Sequence, residues 1–253
     1  MTRKILDKEL QELDTQIIQL GTLVDEALSK ALETLETGDL AQAQSIIEAD
    51  TLIDSLRVVV EEHTIRLLTL QQPLGGRDLR YLTVALSIAG ELERIGDGAE
   101  GIAQIILRMV PLHEDATHVK VERSLADAVE LTTTEKDGQI TEASILQGIL
   151  ALGQEARRVL QETMKAFADR DAHAARYIWQ EDDVIDLRYH EVRHDLMAML
   201  AGARAIPALQ EDSLILQRAT YLLWIAHKLE RVGDHASNIC ERIVFLVEGE
   251  THI

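Results

Sequence analysis

Leu6, Leu10, Leu13, Ile17, Leu20, Val24, Ala27 and Ala31 recur at alternating spacings of four and three. That is a heptad seam, and it predicts a long first helix packed lengthwise against its neighbours. The helix should stop near Thr37-Gly38-Asp39, where glycine ends one helix and aspartate caps the next. A second helix is predicted from about Leu40 to Leu70, ended by the break from Gln71 through Pro73 to Gly76. A third should run from about Asp78 to Met109 and end before Pro111. Pro73, Pro111 and Pro207 all fall outside these predicted helix interiors, where a proline costs about 3 kcal/mol.

The second half repeats the first. Ile145, Ile149, Leu152, Ala156 and Val159 restart the seam, and Arg170-Asp171 corresponds to Gly38-Asp39. Asp182 to Asp186 corresponds to Asp50 to Asp54 at the same offset of 132 residues. Leu92-Glu93-Arg94-Ile95-Gly96-Asp97 corresponds to Leu229-Glu230-Arg231-Val232-Gly233-Asp234 at an offset of 137. The five extra residues fall in a loop around Ala201 to Gln210. An offset constant within helices and changed in a loop is the mark of a duplication. The expected fold is all-α: two tandem three-helix bundles, residues 1–111 and 139–253. A polar connector, residues 112–138, joins them, with a short helix expected around Val121 to Val129.

Composition agrees with helix-on-helix packing. Only 3% of residues are aromatic, and three prolines are too few for an all-β chain. The net charge of −19 would repel a nucleic-acid backbone, so any regulatory role is expected to run through proteins. The acidic surface also serves solubility. A single cysteine, Cys240, excludes an internal disulfide and a cysteine-rich zinc site, and is expected to be buried as a small apolar residue. Residues 1–8 lack the apolar stretch of a signal peptide, and no apolar run approaches membrane-helix length, so a cytoplasmic location with no membrane insertion is expected.

The candidate chemistry lies in four acidic pairs spaced four apart: Asp50/Asp54, Glu93/Asp97, Asp182/Asp186 and Glu230/Asp234. On a helix such residues share a face. Each bundle carries one pair on its second helix and one on its third, so level packing would bring four carboxylates together. Two charges about 6 Å apart repel by roughly 0.7 kcal/mol in water and about 3 kcal/mol at an effective dielectric of 20. Four in one half-buried site need protons, basic partners or cations. Oxygen ligands favour hard metal ions, and facing carboxylates in helical bundles can hold more than one. Acidic pairs on a solvated face are the plain alternative for any single pair. Their recurrence in both copies, beside Gly96 and Gly233, favours convergence, because helix-interior glycine costs about 1 kcal/mol and implies a close neighbour.

At these residues the sequence resembles the PhoU family. The resemblance rests on the two Leu-Glu-Arg-Ile/Val-Gly-Asp segments, Leu92 to Asp97 and Leu229 to Asp234. It also rests on the stretch Gln72-Pro73 through Arg77-Asp78-Leu79-Arg80 and on the aspartate pairs of the second helices. It implies paired three-helix bundles with multinuclear metal sites, iron first, with zinc, magnesium or manganese as other occupants. It implies a non-enzymatic accessory protein, often a homodimer, that negatively regulates phosphate uptake and phosphate-starvation signalling. The implied partners are the phosphate ABC transporter ATPase subunit and a phosphate-sensing histidine kinase. The copies differ after the motif: His235 and Asn238 follow Asp234, whereas Gly98 and Gly101 follow Asp97. Asn238 is expected to add an oxygen ligand that Gly101 cannot, with Glu100 as a peripheral substitute in the first site.

His190-Glu191-Val192-Arg193-His194 spells the H-E-x-x-H pattern of zinc peptidases, but the first copy has no counterpart at Val58 to Glu62. His190 continues the stripe of Asp182 and Asp186 and is expected at the edge of the second metal site or as a solvated histidine. Gly75-Gly76 follows no strand, which removes a phosphate-loop reading. Trp179 and Trp224 are expected in the core or an interface. The alternative function is a metal-dependent helical-bundle enzyme performing hydrolysis or oxygen chemistry. Against it, none of the four pairs has a histidine at the Glu-x-x-His spacing. A third reading is a helical dimer whose acidic pairs are only solvated charge.

Overall fold

The computed structural model describes residues 3–70, 74–118, 141–181, 183–204 and 213–249. The first bundle consists of α1 (Arg3–Thr37), α2 (Leu40–Leu70) and α3 (Gly76–His118). The second consists of α4 (Glu142–Asp169), α5 (Ala172–Gln180), α6 (Asp183–Arg204) and α7 (Ser213–Glu248). Each helix packs on others of its own bundle, and the bundles meet through α1 against α4 and α3 against α7. Of the predicted seam of α1, Leu13, Ile17, Leu20, Val24 and Ala31 have no exposed surface and Leu6 is buried, while Leu10 and Ala27 are only partly buried and Leu28, next to Ala27, takes its place in the core. Burying each such side chain contributes about 1.5–3 kcal/mol.

The turns between first and second helices follow the duplication. Gly38 has φ 71°, and its N–H donates to the Thr34 carbonyl at 2.8 Å. Asp39 then accepts from the amides of Ala41 and Gln42, capping α2. In the second copy Asp171 caps α5 through His173 and Ala174, but Arg170 occupies the left-handed position at φ 55°. A side chain there costs roughly 1–2 kcal/mol. The Arg170 guanidinium offsets this. It donates to the Phe167 carbonyl at 2.8 Å, lies over the Phe167 and Tyr81 rings and pairs with Asp14 across the bundle boundary. Tyr81 donates to the same Asp14 at 2.6 Å. Asp14→Ala removes the acceptor that both groups share, and is expected to lower stability by about 1–3 kcal/mol in chemical denaturation.

The contact between bundles is itself a pseudo-twofold. Gly21 faces Met164, and Gly153, 132 residues after Gly21, faces Leu32, 132 residues before Met164. A Cβ on Gly153 would sit 2.3 Å from Leu32 Cδ2, so the two helices meet closer than any side chain there permits. One turn along, Asp25 accepts from Arg157 at 2.9 and 3.0 Å, and these two are again 132 residues apart.

Two helix boundaries differ from expectation. The third helix does not end at Met109. It continues through Pro111 to His118, into the expected connector. Proline removes one N–H and crowds the preceding turn. Burial of Ile102, Ile105, Ile106 and Met109 fixes the helix immediately before it, and the following turns propagate from there. Pro73, Pro207, the expected helix at Val121 to Val129 and residues 205–212 of the expected loop around Ala201 to Gln210 lie outside the described residues, while α6 runs on through the start of that loop to Arg204. The counterpart of α2 is two helices rather than one. α5 closes at Glu181, whose amide reaches the Tyr177 and Ile178 carbonyls, and α6 restarts at Asp183. Glu181-Asp182-Asp183 is a run of three like charges. Acidic residues are favoured in a first turn, where Asp183 and Asp186 now stand, and disfavoured mid-helix beside one another. The first copy reads Ala49-Asp50-Thr51 at this place, and α2 is unbroken.

Cys240 is buried, 3.4 Å from Thr163 Oγ1. Trp179 packs partly buried on the core. Trp224 does not: it is 49% exposed, edge-on to Tyr221.

Candidate metal centres

In the first bundle α2 supplies Asp50 and Asp54, and α3 supplies Glu93, Asp97 and Glu100. Carboxylate oxygens of Asp50, Asp97 and Glu100 all lie within 4.8 Å of one another. Among the described residues this is the one group of three or more potential ligands so close together. Gly96 makes it possible. A Cβ there would stand 3.1 Å from Ile53 Cγ2 and 3.5 Å from Asp50 Oδ1, so α2 lies directly on the α3 backbone beside the cluster. Glu100, expected at the periphery, is a full member, because one turn beyond Asp97 on the α2-facing side is position 100 rather than 101.

The electrostatics follow from the geometry. Asp50 is pushed up to about 6 by burial and by the charges of Glu100, Asp54, Asp97 and Glu93. Glu93 is also raised, by burial and by Asp97 and Asp54, while Arg57 and Arg94 pull it back. Arg57 Nε is 3.9 Å from Glu93 Oε1, so the Glu93 end of the stripe has a basic neighbour. The oxygens of Asp50, Asp97 and Glu100 accumulate charge with no basic partner in ion-pair reach among the described residues. Three converging oxygens without a balancing cation are the donor set that hard ions take.

The second bundle is not a copy of the first. Asp182, the counterpart of Asp50, lies outside the described residues. Glu230 is raised by burial, Asp234 and Asp186, which brings these three acids into one field. His227 opposes the shift: its Nδ1 lies 3.2 Å from Glu230 Oε2. Sequence reading passed over His227, because it sought Glu-x-x-His and the order here is His-x-x-Glu. His190 is exposed with its ring 5.8 Å from that of Tyr189, and the Tyr189 ring is in turn 6.1 Å from that of His227. His194 pairs with its neighbour Asp195 at 3.3 Å. The H-E-x-x-H run gathers no third ligand among the described residues.

Asn238, expected as an oxygen ligand, turns its amide nitrogen toward the contact with α3. Its amide nitrogen donates to Glu91 on α3 at 3.3 Å, and His235 Nδ1 is 2.8 Å from the same carboxylate oxygen. Burial raises Glu91, but the hydrogen bonds from His235 and Asn238 outweigh it and hold the carboxyl below its usual range. At the symmetry-related place Lys228, the counterpart of Glu91, lies over Gly101, the counterpart of Asn238. A Cβ on Gly101 would be 2.3 Å from Lys228 Nζ. The departures from symmetry after each motif are therefore complementary pieces of the α3–α7 contact: acid against His and Asn on one side, a long lysine against two glycines on the other.

Among the described residues no helix is long and apolar enough to cross a membrane. Over 99% of its length the chain is 27% identical to 97% of a phosphate-specific transport system accessory protein PhoU homolog of Clostridium acetobutylicum. It is 28% identical to the accessory protein PhoU of Escherichia coli, covering 96% of this chain and 85% of that protein. The fold superposes on the crystal structure of the phosphate transport system regulatory protein PhoU from Streptococcus pneumoniae with a TM-score of 0.71 and 29% identity, over 98% and 99% of the two chains. For PhoU from Pseudomonas aeruginosa the TM-score is 0.74 and the identity 25%, over 96% and 99%. Homologues of this chain are accessory proteins of phosphate transport. The PhoU domain matches residues 17–106 and again residues 149–243, one match per bundle with the acidic helices inside each, and on that double match the chain belongs to the PhoU family.

Proposed function

We propose that this protein is a metal-bearing negative regulator of phosphate uptake and of phosphate-starvation signalling, acting by contact rather than by catalysis. Its partners are the ATPase subunit of a phosphate ABC transporter and a phosphate-sensing histidine kinase. The observation that carries the metal part is the convergence of Asp50, Asp97 and Glu100 with no ion-pair partner among the described residues. The family supports the regulatory part, since its members bear names of transport accessory and regulatory proteins. Asp50, Asp54, Glu93, Asp97 and Glu100 would hold the ions of the first bundle. Glu230, Asp234 and Asp186, with Asp182 by the repeat, would hold those of the second. Iron is the leading occupant, with zinc, magnesium and manganese as alternatives. The bound ions tie α2 to α3 and α6 to α7, and so fix the faces a partner reads; the chain itself pairs as a homodimer.

Co-purification tests the proposal. Metal-loaded protein should retain both the ATPase subunit and the kinase at high phosphate, and chelator-treated protein should retain less of each. Failure of the loaded protein to retain either one removes the adaptor role. Elemental analysis showing no bound metal removes the metal part.

A further inference from the structure

A cavity of about 430 Å³ opens where the two bundles meet, and no acid of the candidate metal centres lines it. Volumes of about 300–1,000 Å³ are usual for small-molecule sites, which favour the junctions of packed units. α1 and the start of α3 form one side of the cavity, and the turn at Arg170 and the end of α7 form the other. Arg80 holds that end of α7 on α3, with its guanidinium 5.5 Å over the centre of the Phe245 ring. Leu10, Leu246 and Val247 make one wall apolar.

The charged part of the lining is three guanidiniums against two carboxylates, in a chain of net charge −19. Both carboxylates are engaged. Asp78 is 5% exposed and accepts from Arg3 at 2.5 and 3.2 Å, and Asp14 takes Arg170 and the Tyr81 hydroxyl. The third guanidinium, Arg77, has no hydrogen bond or ion pair among the described residues. We infer that this cavity binds a small organic monoanion, with Arg77 holding a carboxylate-type head and Leu10, Leu246 and Val247 covering an apolar body. Arginine suits the role because its planar fork pairs bidentately with a carboxylate and is weakly hydrated. The engaged acids limit the ligand's charge, since Asp14 and Asp78 repel a second negative group. Inorganic phosphate, without an apolar body, leaves the wall wet and gains nothing from it. A molecule seated here touches both bundles at once, so its binding favours the chain with the bundles docked.

Calorimetric titration of the full chain tests this with octanoate as the probe, beside acetate and inorganic phosphate. Octanoate should bind at one site per chain. Each methylene that reaches the wall should tighten binding about two- to fourfold, so acetate should bind at least about tenfold more weakly. Inorganic phosphate should be weaker by a similar margin. Arg77→Ala should weaken octanoate at least about tenfold, and Val247→Asp, which sets a negative charge on the wall, should do the same. Both residues are exposed, so both variants keep their helical circular dichroism. Leu216→Asp makes a like change at an exposed leucine near the other end of α7, and should leave binding unchanged. Three results overturn the inference: no saturable octanoate binding by wild type, equal affinity in Arg77→Ala, or phosphate bound as tightly as octanoate. An equal loss in Leu216→Asp also overturns it, because that marks nonspecific uptake.

Discussion

Asp50→Asn is expected to flatten the pH dependence of the metal-free protein and to remove much of its stabilisation by metal. Asp50 titrates near 6 in the folded chain and near its usual 3.8 when unfolded. The folded state therefore holds the proton more tightly. Stability of the metal-free protein is greatest below about pH 4 as far as this group is concerned, and falls as the pH rises through 6. A fully buried carboxyl displaced this far would lose about 3 kcal/mol, and solvent screening of this half-buried one leaves about 1–2 kcal/mol. Glu93 and Glu230 are displaced in the same direction, so a smaller slope persists in the variant. With Mn²⁺ at a hundred times its dissociation constant, wild type should gain about 2.7 kcal/mol. The variant, lacking one of three converging oxygens, should gain clearly less. Denaturation at pH 5 and pH 7.5, with and without the ion, measures all four numbers. Equal slopes in the two proteins would show that Asp50 is not pressed by its neighbours.

The second large effect concerns Gly96. Valine there places its Cβ against Ile53 and Asp50, and its two methyl groups have nowhere to go without moving α2 away. Overpacking of this kind costs about 1–3 kcal/mol. The displacement also pulls Asp50 away from Asp97 and Glu100, so manganese binding should fall along with stability. Gly90 is the control. It lies on the same helix with nothing within 4 Å of an added Cβ, so Gly90→Ala should stabilise by about 0.5–1 kcal/mol and leave binding alone. If both substitutions stabilise, the close approach of α2 and α3 is not what Gly96 is for.

Much of the fold was readable because helical periodicity is a local signal. The seam of α1, the start of α2 at Leu40 and the aspartate caps at 39 and 171 follow from spacing and from side-chain chemistry within one turn. The breaks were harder. Pro111 reads as a stop, yet burial on one side of the helix carried it through. Asp182/Asp186 reads as an acidic pair on a continuous helix, yet the chain breaks there and a new helix starts at Asp183, where a first turn suits the charge. Among the candidate site residues, Asp50 and Asp97 were legible by repetition and Glu100 as a peripheral group. His227 was not, because nothing in its own segment says which neighbouring helix it faces.

The sequence by itself determined the helical class, the duplication and the acid-bearing helices, since each depends on intervals along a single rod. Only the tertiary structure decided which acids converge, that Asn238 serves the α3–α7 contact, and that Gly21 and Gly153 admit the opposite bundle. The reason is that a helix repeats every 3.6 residues, so spacing fixes which side chains share a face. Where that face points is set by the packing of one rod on another, and residues more than a hundred positions apart settle it together.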